Sequence, residues 1–158
     1  MIVAVSHHKS KNDFKNLGNT IFDANKLKAT LRKLGWKVEM ALDLGLGETV
    51  RKMREFAASS AQGDGDCLFA FAGHGIELNG RNYLVAADSK FETEYTSEKK
   101  FEQAAKLACL PFEDVQSEFK DARGSSAGVC AGLLPQWVVD KYCQRPECEV
   151  AVQVEGGR

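Results

Sequence analysis

The run Cys67-Leu68-Phe69-Ala70-Phe71, followed by Ala72-Gly73-His74-Gly75, limits the fold more than any other part of the chain. A strand with one wetted face alternates apolar and polar residues, whereas a short unbroken apolar run fits a strand covered on both faces. Such a strand needs helices above and below a parallel sheet, and the preceding sequence supplies the parts. Met1–Ser6 (MIVAVS) reads as a short buried strand. Thr20–Leu34 reads as a helix: Ala24, Leu27, Leu31 and Leu34 recur at steps of three and four, and Lys26, Lys28, Arg32 and Lys33 fall outside that stripe. Gly35 ends it. Trp36–Leu42 alternates as a second strand. Glu48 to about Ser60 forms a second amphipathic helix, with Val50, Met53 and Ala57 on one side.

This β-α-β-α-β order argues for an α/β fold with a mostly parallel central sheet flanked by helices. Beyond the histidine, Ile76–Leu78 and Arg81–Val85 flank Asn79-Gly80, a strong hairpin signal. Ser89–Ala108 is charged and reads as a loop plus one helix. Pro111 suits a helix start, Phe112, Val115, Phe119 and Ala122 give that helix an apolar face, and Gly124 ends it. Gly128–Leu134 reads as a fourth parallel strand.

Composition removes several function classes. With 158 residues the chain has room for one domain with a hydrophobic core. Its net charge of −1 offers no attraction to nucleic acid or anionic membrane. No apolar run approaches the roughly 18 residues that span a bilayer. The segment MIVAVSHHKSK has too short an apolar stretch and the wrong flanks for a secretory signal. Five cysteines, an odd number without framework spacing, point to a reducing compartment, taken here as the cytoplasm.

In open parallel sheets, functional residues gather where strands end. His74 stands at such an end, where an imidazole can act as a general base near neutral pH; on position alone it could equally be an ordinary turn histidine. The pieces NTIFDANKLKATLRKLGWKV, GDGDCLFAFAGHG and NGRNYLVAAD occur in that order between Asn16 and Asp88. Together they resemble the caspase-like cysteine peptidases, the clan of caspases and metacaspases. The segment LPFEDVQSEFKDARG is similar to the helix before that family's nucleophile strand, so the resemblance covers about Met1 to Leu134. It implies a caspase-like three-layer sandwich, with a large-subunit-like domain over 1–134 and a divergent tail over 135–158 that leaves the fold's C-terminal part incomplete.

By this resemblance His74 is the base and acid of a Cys-His dyad, and the Gly75 N–H is an oxyanion donor. Asp23 matches the aspartate of an acidic S1 pocket for Arg or Lys, with Ala72 also placed at the substrate. Asp23 serves equally as an acid favoured by the helix dipole. Asp88 reads as a structural loop carboxylate. The resemblance implies peptide or protein substrates with Arg or Lys at the cleavage site, and pairing with another caspase-like chain. It implies no cofactor beyond the calcium that metacaspases often need; no loop here has EF-hand spacing.

The family's cysteine belongs just after the fourth strand, about 50 residues beyond the histidine. Here that place holds Pro135, Gln136 and Trp137, none of them a thiol. Cys130, 56 residues after His74, is the remaining candidate nucleophile, although mid-strand cysteines are usually inert. Cys67 reads as core, and Cys109 has no visible activating partner. Cys143 and Cys148, like His7 and His8, could bind metal only with ligands from elsewhere. Three readings follow: a cysteine endopeptidase, a non-catalytic relative that regulates active ones, and a flavodoxin-like ligand-binding domain. The last ranks lowest, because Gly45-Leu46-Gly47 is no phosphate loop. The tail either reflects a truncated or misassembled product or belongs to a protein that has lost catalysis.

Overall fold

A computed structural model describes residues 1–9, 14–63, 65–91, 98–120 and 127–131. The chain runs β1 (Ile2–Ala4), α1 (Thr20–Lys33), β2 (Met40–Leu42), α2 (Leu46–Ala61) and β3 (Cys67–Ala72). It continues through β4 (Gly75–Leu78), β5 (Arg81–Leu84), α3 (Glu98–Ala108), β6 (Leu110–Pro111), α4 (Phe112–Glu118) and β7 (Ala127–Ala131). Four strands form a parallel sheet in the order β2-β1-β3-β7, with Ile2 beside Met40 and Ala70, and Ala70 beside Cys130. A small antiparallel sheet, β4-β5-β6, pairs separately from it, while Leu84 and Leu110 share its core.

The period of two along each strand sorts side chains between two cores. Ile2, Ala4, Ala70 and Ala72 pack with Ala24, Leu27 and Leu31 of α1. Val3, Val5, Phe69 and Phe71 pack with Met53 and Ala57 of α2 and with Phe112 and Val115 of α4. Helix, sheet and helix thus make the three layers that the unbroken apolar run of β3 demands. Phe69 and Phe71 are each 1% exposed; burying a side chain of this size contributes about 1.5–3 kcal/mol.

Element boundaries differ from the sequence reading where tertiary partners decide them. Only Met40–Leu42 of the expected Trp36–Leu42 strand pairs, because β1 offers a ladder three residues long. Trp36 and Val38 still pack on the α1 core. The second helix begins at Leu46, with Gly45 at its N-cap, rather than at Glu48. Asn79 and Gly80 both adopt positive φ, 53° and 73°, as a tight two-residue hairpin turn requires. The two-residue β6 was not expected; Pro111, which lacks an N–H, sits there on the edge of the small sheet and also caps α4. That helix stops at Glu118 with Phe119 as C-cap, and Phe119 turns into the core. Ala122, Gly124, the end of the expected strand at Leu134, Pro135–Trp137, Cys143, Cys148 and the whole 135–158 tail lie outside the described residues. No helix among the described residues is long and apolar enough to cross a membrane.

Candidate active site

The connections from β1 and β3 diverge. β1 leads through α1 to β2 on one side, whereas β3 leads on to β7 on the other, so the chain changes direction across the sheet between β1 and β3. The crevice at the carboxyl ends of two such strands is where parallel sheets place their ligands. Two segments enter it: Ser6-His7-His8 from β1 and Gly73-His74 from β3. The main chain at Gly73 passes so close to the core that a Cβ there would lie 2.9 Å from Phe71 Cε1 and 3.3 Å from Val5 Cβ. A side chain is excluded at the step that delivers the histidine.

His74 is held at both its main chain and its ring. Its carbonyl accepts the Val85 N–H at 3.0 Å, which ties the turn to the end of β5. Its ring Nε2 lies 2.8 Å from the Lys15 carbonyl. A carbonyl can only accept, so Nε2 carries the hydrogen, and the neutral ring then keeps its lone pair on Nδ1. The segment presenting that carbonyl is pinned to the tail of β1. Leu17 N–H donates to the Ser6 carbonyl at 2.9 Å, Ser6 Oγ donates to the Leu17 carbonyl at 2.7 Å, and His8 N–H donates to Asn16 Oδ1 at 3.1 Å.

Three rings crowd together here. His8 lies 5.1 Å from His74 and 5.3 Å from Phe14, and Phe14 lies 5.5 Å from His74, centroid to centroid. His8 is buried, and among the described residues neither of its ring nitrogens has a hydrogen-bond partner of good geometry. Burial, then the neighbouring His74, hold its pKa below the ordinary imidazole value, against the opposing pull of the Ala86 carbonyl and Asp43. Neither His8 nor Phe14 was singled out from sequence as a neighbour of His74. The available signal was that His8, like His74, lies within a few residues of the end of a buried strand.

Two carboxylates brace the loops around the crevice. Asp43, at φ 51°, accepts the Ser6 and His7 N–H groups at 2.6 and 2.9 Å and lies 3.1 Å from His7 Nδ1. Burial pushes the Asp43 carboxyl up, but the His7 and Ser6 N–H groups and the His7 ring outweigh it and hold the pKa below its ordinary value. Asp88 Oδ1 accepts Leu46 N–H at 2.7 Å and so caps α2, a structural duty of the kind expected for it.

Gly75 opens β4 opposite Leu84. Asp23 lies in the first turn of α1, which begins at the same edge of the sheet as His74. Ala72 is buried against α1 and its carbonyl accepts the Val5 N–H at 2.8 Å. Cys130 stands in β7 level with Ala70, four residues before His74. Cys67 and Cys109 are free and buried; burial raises the Cys67 thiol pKa and pushes Cys109 up to about 11. Neither is poised to ionise near neutral pH. A cavity of about 510 Å³ lined by Met1, Trp36 and Leu68 opens at the opposite edge, where the strands begin, and includes none of the crevice residues. No group of three metal-ligating side chains converges among the described residues.

Comparison with known proteins bears on the whole arrangement. The family model for the caspase domain (peptidase C14) matches residues 1–111. Among solved structures, the Drosophila initiator caspase Dronc is similar in fold, with a TM-score of 0.58 at 9% identity, over 82% of this chain and 46% of that one. The chain therefore spans under half the length of that caspase. No curated protein matches. With the family model covering most of the chain, on a three-layer α/β frame with a histidine at the carboxyl edge of its central strand, the chain belongs to the caspase-domain family.

Proposed function

We propose that the chain acts as the histidine-bearing part of a cytoplasmic caspase-like cysteine endopeptidase, with His74 as general base and acid. The observation that carries this reading is the hydrogen bond from His74 Nε2 to the Lys15 carbonyl. It leaves Nδ1 as the proton acceptor and disperses positive charge when the ring protonates. In the reaction Nδ1 removes the thiol proton and the thiolate adds to the peptide carbonyl. The Gly75 N–H stabilises the oxyanion, and His74 returns the proton to the departing amine. Water then releases the acyl group from sulfur. Asp23 offers a carboxylate to an Arg or Lys side chain before the cleaved bond, beside Ala72. The edge of β7 offers main-chain pairing to a second caspase-like chain.

A second reading, a non-catalytic partner of active relatives, is favoured by the cysteines. Cys67 and Cys109 are buried with raised pKa values. Cys130 lies four residues below the level of His74, about 13 Å along an extended strand. Both readings meet in one assay: hydrolysis of Arg- and Lys-terminated peptide reporters, with and without calcium, by wild type, His74→Ala and Cys130→Ala. Cleavage lost in both variants supports a peptidase built on Cys130. Cleavage lost only in His74→Ala assigns the thiol elsewhere, and silence of the wild type supports the non-catalytic reading.

A further inference from the structure

His8 is chemically costly where it stands. The residue is 4% exposed, neither ring nitrogen has a partner of good geometry among the described residues, and the ring packs at a tilt against both Phe14 and His74. A buried imidazole without hydrogen bonds is tolerated far better neutral than charged. The same residue's N–H donates to Asn16 Oδ1, beside the Lys15 carbonyl on which His74 rests. Main chain and side chain of one residue therefore hold both halves of the His74 hydrogen bond. We infer that His8 is a positioning residue for His74: its neutral ring, packed with Phe14, keeps the His74 imidazole on the Lys15 carbonyl, and protonation of His8 in acid releases it.

The titratable groups acting on His8 are His74 at the end of β3, its neighbour His7, and Asp43 at the end of β2, together with the Ala86 carbonyl beyond β5. The two histidines oppose a proton on His8. Asp43 and the Ala86 carbonyl favour one, but Asp43 is already engaged by Ser6 and His7. The sign follows from the lowered His8 pKa. The packed ring cluster is intact above the ordinary imidazole value and is lost as pH falls through the lowered one. This inference builds on the reading of His74 as the general base, but its test needs no peptidase activity.

The test follows the imidazole signals of the full chain by NMR from about pH 8 to about pH 5, the range in which histidines titrate. Protonation of His74 alone leaves Nε2–H in place, so a hydrogen-bonded signal moves but survives; release exposes it to exchange with water and removes it. In wild type the protected His74 Nε2–H signal is expected to disappear at the pH where His8 titrates. In His8→Phe, which keeps a ring and removes the proton site, it is expected to persist to the acid end. Loss at the same pH in His8→Phe, or a wild-type loss away from the His8 titration, overturns the proposal. His8→Gln gives the same two outcomes should the Phe variant fail to fold, and the wild-type coincidence stands without either. Silence towards peptides with this pH response intact overturns only the catalytic reading. Peptide cleavage with an unchanged response in His8→Phe overturns only the role of His8.

Discussion

Gly73→Ala is the sharpest perturbation the geometry offers, because the same small change has opposite consequences elsewhere in the chain. A Cβ at position 73 would meet Phe71 Cε1 at 2.9 Å, Phe71 Cζ at 3.0 Å and Val5 Cβ at 3.3 Å. Carbon atoms at rest lie about 3.5–4.0 Å apart, so the Phe71 ring must retreat by several tenths of an ångström. It has nowhere to go: Phe71 is 1% and Val5 0% exposed, and both pack with Met53, Phe112 and Val115. Overpacking of this kind costs about 1–3 kcal/mol. For a chain of this length that lowers Tm by about 2–4 °C per kcal/mol. Gly47→Ala is the internal control, since a Cβ there meets nothing within 4 Å and the residue is helical. Its expected effect is neutral to stabilising by up to about 1 kcal/mol. Urea unfolding near neutral pH, followed by circular dichroism, measures both. A Gly73→Ala chain within about 0.5 kcal/mol of wild type, the ordinary spread of a surface change, refutes the close-packing account. So does an equal loss in Gly47→Ala, which would make the effect a general one of glycine removal.

Three further outcomes follow from single contacts. Asp88→Ala removes the acceptor of Leu46 N–H at the start of α2 and is expected to cost about 1 kcal/mol in urea unfolding; an unchanged midpoint would show that water replaces the carboxylate at no cost. The lowered Asp43 pKa means that its contribution is present above the ordinary value of 3.8 and lost as pH falls through the lowered one. Asp43→Asn should therefore flatten the acid limb of the stability profile, and a limb as steep as wild type would place the acid sensitivity elsewhere. Tyr83 is 1% exposed and its hydroxyl has no partner among the described residues. Tyr83→Phe should accordingly be neutral or stabilising by about 1 kcal/mol, and a loss of that size would reveal a partner for the hydroxyl.

Much of the frame was legible because it rests on local periodicity. The apolar run of β3 required two covering layers, and the stripes of α1 and α2 supplied helices to cover them. The Asn79-Gly80 turn followed from the ease with which those residues adopt positive φ. Boundaries were less legible. β2 is short because β1 is short, and β6 exists because β5 leaves an edge for Leu110 and Pro111 to pair. These lengths are properties of partners, which a single segment does not encode.

The same division runs through the candidate site. That His74 is carried on a glycine-flanked turn at the end of a buried strand was legible in the chain's own pattern, since apolar patterning and glycine placement are local. What surrounds that ring depends on strand order, which no local segment encodes. The order β2-β1-β3-β7 sets β1 beside β3, with Ile2 against Ala70, so the tails of two strands far apart in the chain end side by side. That adjacency brings His8, Phe14 and the Lys15 carbonyl against His74. Strand order is fixed by which faces the helices can cover, a sum over many weak contacts. It therefore turned His8, weighed in the sequence only as a weak metal ligand, into a ring packed 5.1 Å from the histidine the sequence had already marked.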